Sequence, residues 1–493
     1  MVEHLARERS MEWREALRKS IKAKDRTSLE RVAMPEADPA ERAKSHVEVN
    51  QGLSVQMAVE ESRRCLDCPD PTCIQGCPVS INIPKFIKYI EKKDFAGAAR
   101  SLKETNALPA VCGRVCPQEI QCEASCFYTL KLKAPPVAIG HLERFAADWE
   151  RKSGKMFIPE VAPANGIKVA VVGSGPSGLA VAGDLVRLGY AITVFEALHE
   201  PGGVLKYGIP EFRLPNEIVD VEINNLKKMG VEFLTNFVVG KTATIQELKA
   251  EGYQAFFAGS GAGLPNFMHI PGENANGIMS SNEYLTRVNL MNAAHDDYDT
   301  PVLLGKNVAV IGGGNTAMDS VRTAKRLGAE RAMIIYRRTL AEMPARNEEI
   351  KHAQEEGIEF LNLNNPVEYF ADKNGRVNRI RLQKMELGEP DASGRKKPIP
   401  IEGSEYELEA DLVIVSVGVS PNPLIPQSIP GLKVSRWGTI VVDEKEMQSS
   451  VPELFAGGDI VRGGATVILA MGDGRHAAAG IDRYLQKKNR SAS

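Results

Sequence analysis

The sequence predicts an α/β protein in which two domains with parallel sheets follow a small α-helical domain that carries the cysteines. Two segments, starting at Lys168 and Asn307, share the order strand, glycine-rich turn, helix and strand. This alternation is typical of domains with mainly parallel sheets. All eight cysteines fall between Cys65 and Cys126, in a segment whose apolar residues recur at helical spacing. A helical region therefore precedes an α/β region.

The chain has 493 residues, which is more than one ordinary hydrophobic core accommodates. We expect a helical domain over residues 1–153, a first α/β domain over 160–300 and 415–493, and a second α/β domain over 301–414, inserted in the first. The segment GKMFIPEVAPANG is typical of a linker. The charged first 45 residues either dock a partner or are solvated, and both roles stay open.

The formal net charge of −2 argues against a nucleic-acid partner, which requires a basic surface. The N-terminus MVEHLARERS is charged from its third residue and lacks the apolar region of a signal peptide. No run approaches the roughly 18 apolar residues of a membrane span. We therefore expect a cytoplasmic protein without a membrane span.

The first glycine-rich turn fits the G-x-G-x-x-G fingerprint directly after the strand KVAVV. Its glycines allow a tight turn, let a pyrophosphate approach the backbone and let the helix pack on the strand. Glu196 ends the next strand, where an acid is expected to bond a ribose hydroxyl. The candidate residues of this turn are Gly173, Gly175, Pro176, Ser177 and Gly178.

The second turn has the G-x-G-x-x-A form, and its following strand ends in Arg337 and Arg338 instead of an acid. Arginine binds a 2′-phosphate, which a carboxylate would repel, so NADP(H) is favoured over NAD(H). The alternative is that both arginines lie on a solvated strand end. The candidate residues of this turn are Gly312, Gly314, Asn315, Thr316 and Ala317.

The C-terminal segment FAGGDIVRGGATV adds a third strand, turn and helix. Gly458 and Asp459 follow the strand, where the carboxylate is placed to bond a ribityl hydroxyl. Thr466 lies where the last helix begins, and the N–H groups of that helix are placed to face the pyrimidine edge of a flavin. Together with the first turn, this segment predicts FAD in the first α/β domain.

The cysteines form two blocks, Cys65-x2-Cys68-x4-Cys73-x3-Cys77 and Cys112-x3-Cys116-x5-Cys122-x3-Cys126. Structural zinc uses paired C-x2-C knuckles, and this chain has a single one. Clusters of cysteines that end in Cys-Pro are typical of ferredoxin-type ligand runs. Two [4Fe–4S] clusters are therefore favoured over zinc, and disulfides come last. The expected fold is two Rossmann-like dinucleotide-binding domains, for FAD and NADPH, preceded by an α-helical Fe–S domain.

These cofactors define an electron-transfer chemistry. NADPH delivers two electrons as a hydride, Fe–S clusters move one at a time, and a flavin between them converts one into the other. Neither nucleotide domain contains a cysteine, so transfer through a dithiol near the flavin is excluded. Hydride transfer needs stacking and orientation, so we expect no catalytic acid or base. We expect His141 and His476 to be structural.

With these parts in place, the chain resembles the glutamate synthase small (β) subunit family from about Met34 to Tyr484. This family includes the N-terminal half of dihydropyrimidine dehydrogenase, the large subunit of NADH-dependent ferredoxin–NADP oxidoreductase and sulfide dehydrogenase α-subunits. The motifs that carry the likeness are MPEADPAERAKSHVEVNQG, RCLDC, GCPVSINIPKFI, LPAVCGRVCPQEIQCEASC, PVAIGHLERF, GGVLKYGIPEFRLP, GGGNTAMD, MPARNEE and GATVILAMGDGRHAA.

The resemblance implies how the ligands are shared. Cys65, Cys68, Cys73 and Cys126 would hold one cluster, and Cys77, Cys116 and Cys122 most of the other. Relatives use a carboxylate or amide as the last ligand at the position of Glu143, which would leave Cys112 a spare thiol; Glu143 as an ordinary surface acid is the alternative. The likeness also implies that GGVLKYGIP, with Gly203 and Val204, lines the flavin.

The family implies an NADPH oxidoreductase that passes electrons to a partner, as the glutamate synthase small subunit does in L-glutamate biosynthesis. The alternative is the large subunit of a ferredoxin–NADP oxidoreductase or sulfide dehydrogenase. The expected partner is accordingly the glutamate synthase large subunit or a small ferredoxin–NADP reductase-like flavoprotein. A non-enzymatic zinc and nucleotide scaffold is a third hypothesis, against which both intact glycine turns argue.

Overall fold

A computed structural model describes residues 2–295, 297–391 and 394–492. The helical domain consists of α1 (Val2–Arg9), α2 (Glu12–Ser20), α3 (Ala23–Thr27), α4 (Pro39–Arg42), α5 (Val55–Ser62), α6 (Thr72–Gln75), α7 (Ile83–Glu91), α8 (Phe95–Lys103), α9 (Pro109–Val115) and α10 (Ile139–Lys152). Helix α7 shows why they form: Asn82 caps it by accepting from the Lys85 N–H, and Phe86 and Ile90 bury its apolar face. The cysteine blocks lie at the ends of these helices and in the loops between them.

The charged N-terminal helices pack on the first cysteine block. Asp67 lies between Cys65 and Cys68 and is completely buried. Its carboxylate pairs with Arg14 and with Arg18, the latter at 2.6 Å, and Arg9 donates to its backbone carbonyl at 2.7 Å. The start of the chain is therefore a structural cover over this block and not a solvated extension.

The strands of the α/β region are β1 (Lys168–Val172), β2 (Ala191–Phe195), β3 (Glu232–Leu234), β4 (Tyr253–Ala258), β5 (Leu264–Pro265), β6 (Ile278–Ser280), β7 (Asn307–Ile311), β8 (Arg331–Tyr336), β9 (Glu359–Asn362), β10 (Asn364–Ala371), β11 (Val377–Pro390), β12 (Lys396–Pro400), β13 (Tyr406–Glu409), β14 (Leu412–Val415), β15 (Val419–Ser420) and β16 (Leu454–Ala456). The helices between and after them are α11 (Pro176–Arg187), α12 (Val204–Tyr207), α13 (Asn216–Lys228), α14 (Ile245–Ala250), α15 (Ser281–Leu285), α16 (Asn315–Arg326), α17 (Asn347–Glu355), α18 (Leu424–Ser428), α19 (Asp459–Arg462) and α20 (Val467–Ala492).

The first sheet has the order β16-β4-β1-β2-β3, and every pair in it is parallel. Strand β1 is buried along its last four residues and lies at the centre of the sheet, as expected for a strand covered by helices on both faces. The C-terminal strand β16 completes this sheet, so the return of the chain to the first α/β domain agrees with the sequence prediction.

The second sheet has the order β6-β14-β7-β8-β9 and is also parallel. Its edge strand β6 lies ahead of residue 301, where we expected the inserted domain to begin. The chain enters the second sheet earlier because Ile278–Ser280 pairs with the distant strand β14, a contact that no local pattern announces. The fold class of two parallel-sheet domains after a helical domain is confirmed.

Strands β10 to β13 form an antiparallel sheet that extends the second domain beyond β9. The chain passes between the α/β domains through the antiparallel pair β5 and β15. Because entry and exit lie side by side, the two stretches of chain that connect the domains lie at one place.

The helical domain meets the two α/β domains differently. One continuous cluster of buried apolar side chains runs from it into the first domain, through residues such as Val111, Leu226 and Met471. The second sheet has separate apolar clusters. Its contacts with the helical domain include Arg42 with Glu355 and Glu356.

Among the described helices, none combines the length and the apolar character that crossing a bilayer requires.

Candidate cofactor sites

The first glycine turn joins β1 to α11 and leaves an open space at the start of the helix. Gly173 has a φ of 98°, and a Cβ on Gly178 would lie 2.0 Å from the Gly173 carbonyl oxygen, so a larger residue does not fit there. At Gly175, the N-cap of α11, a Cβ would have nothing within 4 Å. Free N–H groups at such an opening suit the pyrophosphate of a dinucleotide.

Glu196 lies directly after β2 and holds the same turn. Its carboxylate accepts hydrogen bonds from the Ser174 N–H at 2.9 Å and hydroxyl at 2.5 Å, and from the Leu198 N–H at 2.8 Å. The Ser174 hydroxyl in turn accepts from the Gly202 N–H at 2.8 Å. Glu196 therefore has a structural role at the turn, and its bond to a ribose hydroxyl stays a prediction.

The segment that begins at Gly203 lies against the first turn. Gly203 has a φ of 55°, and a Cβ on it would lie 2.9 Å from the Gly175 Cα. Val204 then starts α12, which ends at Tyr207. Burial, and next the charges of Asp459 and Glu196, raise the pKa of Tyr207 to about 12. Tyr207, which the sequence analysis did not single out, thus lies among the predicted flavin-site residues.

The C-terminal segment reaches the same place. A Cβ on Gly458 would lie 2.9 Å from the Ser177 Oγ, in the first turn of α11. Asp459 accepts from the Ala465 N–H at 3.1 Å, and burial raises its pKa to about 6. The Thr466 Oγ1 accepts from the Leu469 N–H at 3.3 Å and so caps the start of α20. Gly203 and Gly458 therefore both lie against the first glycine turn, and the binding of a flavin there stays a prediction.

The second glycine turn joins β7 to α16 with the same geometry. A Cβ on Gly312 would lie 2.3 Å from the Ser416 carbonyl oxygen, whereas one on Gly314, the N-cap of α16, would have nothing within 4 Å. Thr316 lies in the first turn of the helix, and Ala317 is fully buried against the sheet. Asn315 is not free for a ligand at its amide oxygen, because that atom accepts from the Arg346 N–H at 2.9 Å.

The two arginines after β8 differ. Arg337 is exposed, at the place where a 2′-phosphate is expected. Arg338 is only 4% exposed; it donates to the Lys396 carbonyl oxygen at 2.7 Å and to the Asp391 carboxylate at 2.6 Å. The structure therefore engages Arg338 in holding the β11–β12 hairpin, in contrast to the shared phosphate role predicted for both residues.

The cysteines fall into two groups. Burial, and next the neighbouring Cys65, Cys126 and Cys68, raise the pKa of the Cys73 thiol well above its usual range. We call these four residues the first cysteine set. Cys68 and Cys73 are partly exposed, whereas Cys65 and Cys126 are buried.

The second cysteine set comprises Cys77, Cys116 and Cys122 with Glu143. The Glu143 charge acts on all three thiols and contributes to their raised pKa values, after burial or closer partners. Burial raises the pKa of Glu143 itself to about 8, and Asn106 donates to its carboxylate at 2.8 Å. Glu143 is thus a buried residue of α10 and not a surface acid.

Cys112 lies beside the second set. It neighbours Cys116 closely enough to raise the pKa of that thiol, and its sulfur is 3.5 Å from the Met471 sulfur. Both Glu143 and Cys112 are therefore within the surroundings of this set.

The cysteine sulfurs are not as close together as the ligands of a single zinc ion. Within the described chain, no three cysteine sulfurs lie within 4.8 Å of one another. Four thiolates around one tetrahedral Zn²⁺, with bonds of about 2.3 Å, would be about 3.8 Å apart. Neither set therefore has three sulfurs as close together as the ligands of one zinc ion.

The two histidines expected to be structural lie apart from both glycine turns in the chain. His141 is partly exposed on α10, and desolvation of its imidazole lowers its pKa to about 4. His476 is exposed on α20.

Comparison with known families agrees with this division. Residues 42–155 match the family described as dihydropyrimidine dehydrogenase domain II, 4Fe-4S cluster. Residues 167–474 match pyridine nucleotide-disulphide oxidoreductase. The solved structure of FprA from Mycobacterium tuberculosis in complex with NADPH has a TM-score of 0.55 and 22% identity, and covers 67% of this chain and 86% of that chain. This likeness concerns the fold.

Two curated relatives extend over almost the whole chain. The glutamate synthase [NADPH] small chain of Azospirillum brasilense is 38% identical over 464 residues, which are 92% of this chain and 95% of that protein. The protein of the same name from Escherichia coli K12 is 36% identical over 93% of this chain and 98% of its own length. The chain therefore belongs to the glutamate synthase small-chain family, and it is an NADPH-dependent flavin and iron–sulfur oxidoreductase.

Proposed function

We propose that this chain takes electrons from NADPH and delivers them, through FAD and two [4Fe–4S] clusters, to a separate protein, as a glutamate synthase small subunit does. The flavin supplies the conversion between an electron pair and single electrons. The observation that carries the proposal is the position of the second cysteine set. It is next to α20 on one side and next to the first set on the other.

Two contacts support this order. On the flavin side, Cys112 contacts Met471, and a Cβ on Gly472 would lie 3.0 Å from the carbonyl oxygen of Pro78, which follows Cys77. On the other side, Cys73 of the first set influences the pKa of Cys122. Two residues of the first set, Cys68 and Cys73, are partly exposed, against one of the second, Cys122, so the first is the set from which we propose electrons leave.

We propose the following ligand roles. Cys65, Cys68, Cys73 and Cys126 hold one cluster, and Cys77, Cys116, Cys122 and Glu143 hold the other. The first turn, with Glu196, Gly203, Val204, Gly458, Asp459 and Thr466, binds FAD. The second turn binds the pyrophosphate of NADP(H), and Arg337 binds its 2′-phosphate while Arg338 supports the loop from behind.

A matched pair of variants tests the second cluster. Glu143→Ala should reduce iron from about eight to about four atoms per chain, because a four-iron cluster lost with its ligand removes half of the metal. Cys112→Ser should leave the iron content unchanged. Iron analysis with absorption and EPR spectra distinguishes these outcomes. The reverse pattern would transfer the ligand role to Cys112, and full iron in both variants would contradict the proposed set.

The partner decides between the two candidate functions. We propose a large subunit that carries the glutamate synthase chemistry. The alternative is a small ferredoxin–NADP reductase-like flavoprotein, which the motifs LPAVCGRVCPQE and MPARNEE favour. A native pull-down from anaerobically lysed cells, with partners identified by mass, separates them. Recovery of a small flavoprotein without a large subunit would replace our proposal by the alternative. The cytoplasmic location expected from the sequence stays a prediction.

A further inference from the structure

The two cysteine sets differ in the charges buried around them. Beside the first set, Lys88 is completely buried on α7. Its ammonium group donates to the Cys65 carbonyl oxygen at 2.6 Å and to the Glu91 carboxylate at 2.5 Å. A buried ammonium this close to a ligand residue places a positive charge next to any metal group held there.

A second buried cation lies beside the first. Arg26 is 1% exposed and pairs with the two oxygens of Glu91 at 2.8 and 3.1 Å. It also donates to the Arg63 carbonyl oxygen at 2.5 Å, two residues before Cys65, the first residue of the block. Glu91 is therefore one carboxylate shared by two cations, Arg26 and Lys88, and these three side chains together carry a net positive charge.

The loop inside the first block repeats the pattern. Asp67 is one buried carboxylate paired with both Arg14 and Arg18, while Arg9 donates to its backbone. Five cations thus face two carboxylates around the first set. We call these five residues, Arg9, Arg14, Arg18, Arg26 and Lys88, the cationic layer.

The surroundings of the second set have the opposite sign. Glu143 is completely enclosed, and the charge of the buried Glu222 acts on it. Glu123 is also buried, and after burial its charge has the largest effect on the pKa of the Cys122 thiol. Arg31 pairs with Glu123 at 2.7 Å, so the excess of carboxylates near this set comes from Glu143 and Glu222.

We propose that the cationic layer raises the reduction potential of the first cluster above that of the second. An electron that enters the pair of clusters then resides on the first, which the partly exposed Cys68 and Cys73 help to hold. Reduction adds negative charge to a cluster, and nearby positive charge stabilises the reduced state, most strongly where water is excluded. The N-terminal helices thus tune the cluster from which electrons leave. This inference rests on the proposed function, because it needs both clusters.

The test is a potentiometric titration of the intact holoenzyme, followed by EPR at low temperature. Lys88→Met removes one buried charge and leaves Glu91 paired with Arg26. We expect it to shift the electron distribution between the two clusters about tenfold toward the second, which is about 59 mV for one electron. Arg100→Gln, at an exposed position on α8, is the control for loss of a positive charge and should shift neither signal.

Glu143→Gln assigns the signals, because it alters the signal of the second cluster only. Arg18→Gln is the variant to use if Lys88→Met does not fold, since Arg18 is partly exposed and Arg14 remains paired with Asp67; we expect a shift in the same direction. Two EPR signals whose potentials stay unchanged in the variant that folds would overturn the inference. The absence of two cluster signals in the wild-type holoenzyme would instead overturn the proposed function.

Discussion

Both α/β domains have a five-stranded parallel sheet, but they are attached to the helical domain by different forces. The first domain shares one apolar core with it, in which Met471 contacts Cys112. Ion pairs such as Arg42 with Glu356 bind the second. Apolar burial does not depend on protonation, whereas carboxylate pairs do. The first α/β domain is therefore held on the helical domain by packing, and the second is attached by contacts that acid weakens.

The largest effect on this comparison is expected from Glu356→Gln. Glu356 is the common partner of Arg42, Arg322 and Arg326, at 3.2, 2.7 and 2.7 Å. Removing the charge leaves the buried Arg326 without its carboxylate partner, whereas Arg42 keeps Glu36 and Arg322 keeps Glu349. An uncompensated buried charge costs about 3–5 kcal/mol. Denaturant unfolding measures the loss. Glu355→Gln is the control: its side chain is 33% exposed and its loss should cost no more than about 1 kcal/mol. Equal effects would show that burial of the pair does not matter.

Met471→Ala tests the apolar attachment. Met471 is completely buried between α20 and the helical domain, so truncation leaves a cavity and should cost about 2–5 kcal/mol of unfolding free energy. Met471→Leu, which keeps the volume, should cost less than about 1.5 kcal/mol. If alanine were tolerated as well as leucine, the first domain would not depend on this packing.

Acid should separate the two attachments. Burial alone would raise the pKa of Glu356, but hydrogen bonds from Arg322 and Arg326 outweigh it and lower the pKa from 4.5 to about 2. Since the folded-state pKa is below the unfolded one, this stabilisation is complete above about pH 4.5 and is lost as the pH falls toward 2. Unfolding free energies at about pH 5 and about pH 3 should fall in parallel for wild type and Met471→Ala.

Glu356→Gln should show a shallower pH dependence across that window, because its amide does not titrate. A slope equal to that of wild type would mean that other carboxylates account for the acid sensitivity of the second domain.

The smallest predicted effect concerns the nucleotide. Arg337→Ala should weaken NADPH binding by about 1–3 kcal/mol and leave NADH nearly unchanged, because only NADPH carries the phosphate. Arg338→Ala should instead lower stability and affect both nucleotides alike, because its bonds go to Asp391 and the Lys396 backbone. Titration of each nucleotide by fluorescence measures this. Equal losses for both nucleotides in Arg337→Ala would remove the 2′-phosphate role.

Features set by short spacing were predictable from the sequence. The glycines at 173, 178 and 312 are required by contacts within a turn or with an adjacent strand end, so their pattern carries the geometry. The fold class followed from the repeated order of strand, glycine-rich turn, helix and strand. The candidate site around the first turn also depends on Glu196 and Asp459, which occupy fixed places after strands.

Features set by distant partners were not predictable. Arg338 looked equivalent to Arg337, but its partner Asp391 is 53 residues away. The sequence left docking and solvation of the N-terminal helices both open, because the carboxylate partner of their arginines, Asp67, lies in the cysteine block, 53 residues after Arg14. The strand Ile278–Ser280 is too short to reveal its sheet, since its neighbour β14 comes more than 130 residues later.

The edge strand β6 is the first strand of its sheet in the sequence, whereas the edge strand β16 is the last of its sheet. This difference has a consequence for biosynthesis. The second sheet has its last strand once the ribosome has translated Val415, whereas the first sheet waits for β16, which ends at Ala456. Domains fold as units as they leave the ribosome. The inserted domain therefore has all the strands of its parallel sheet before the surrounding domain does. The long helix α20, which packs on β16 and β4, is translated after both sheets have their strands.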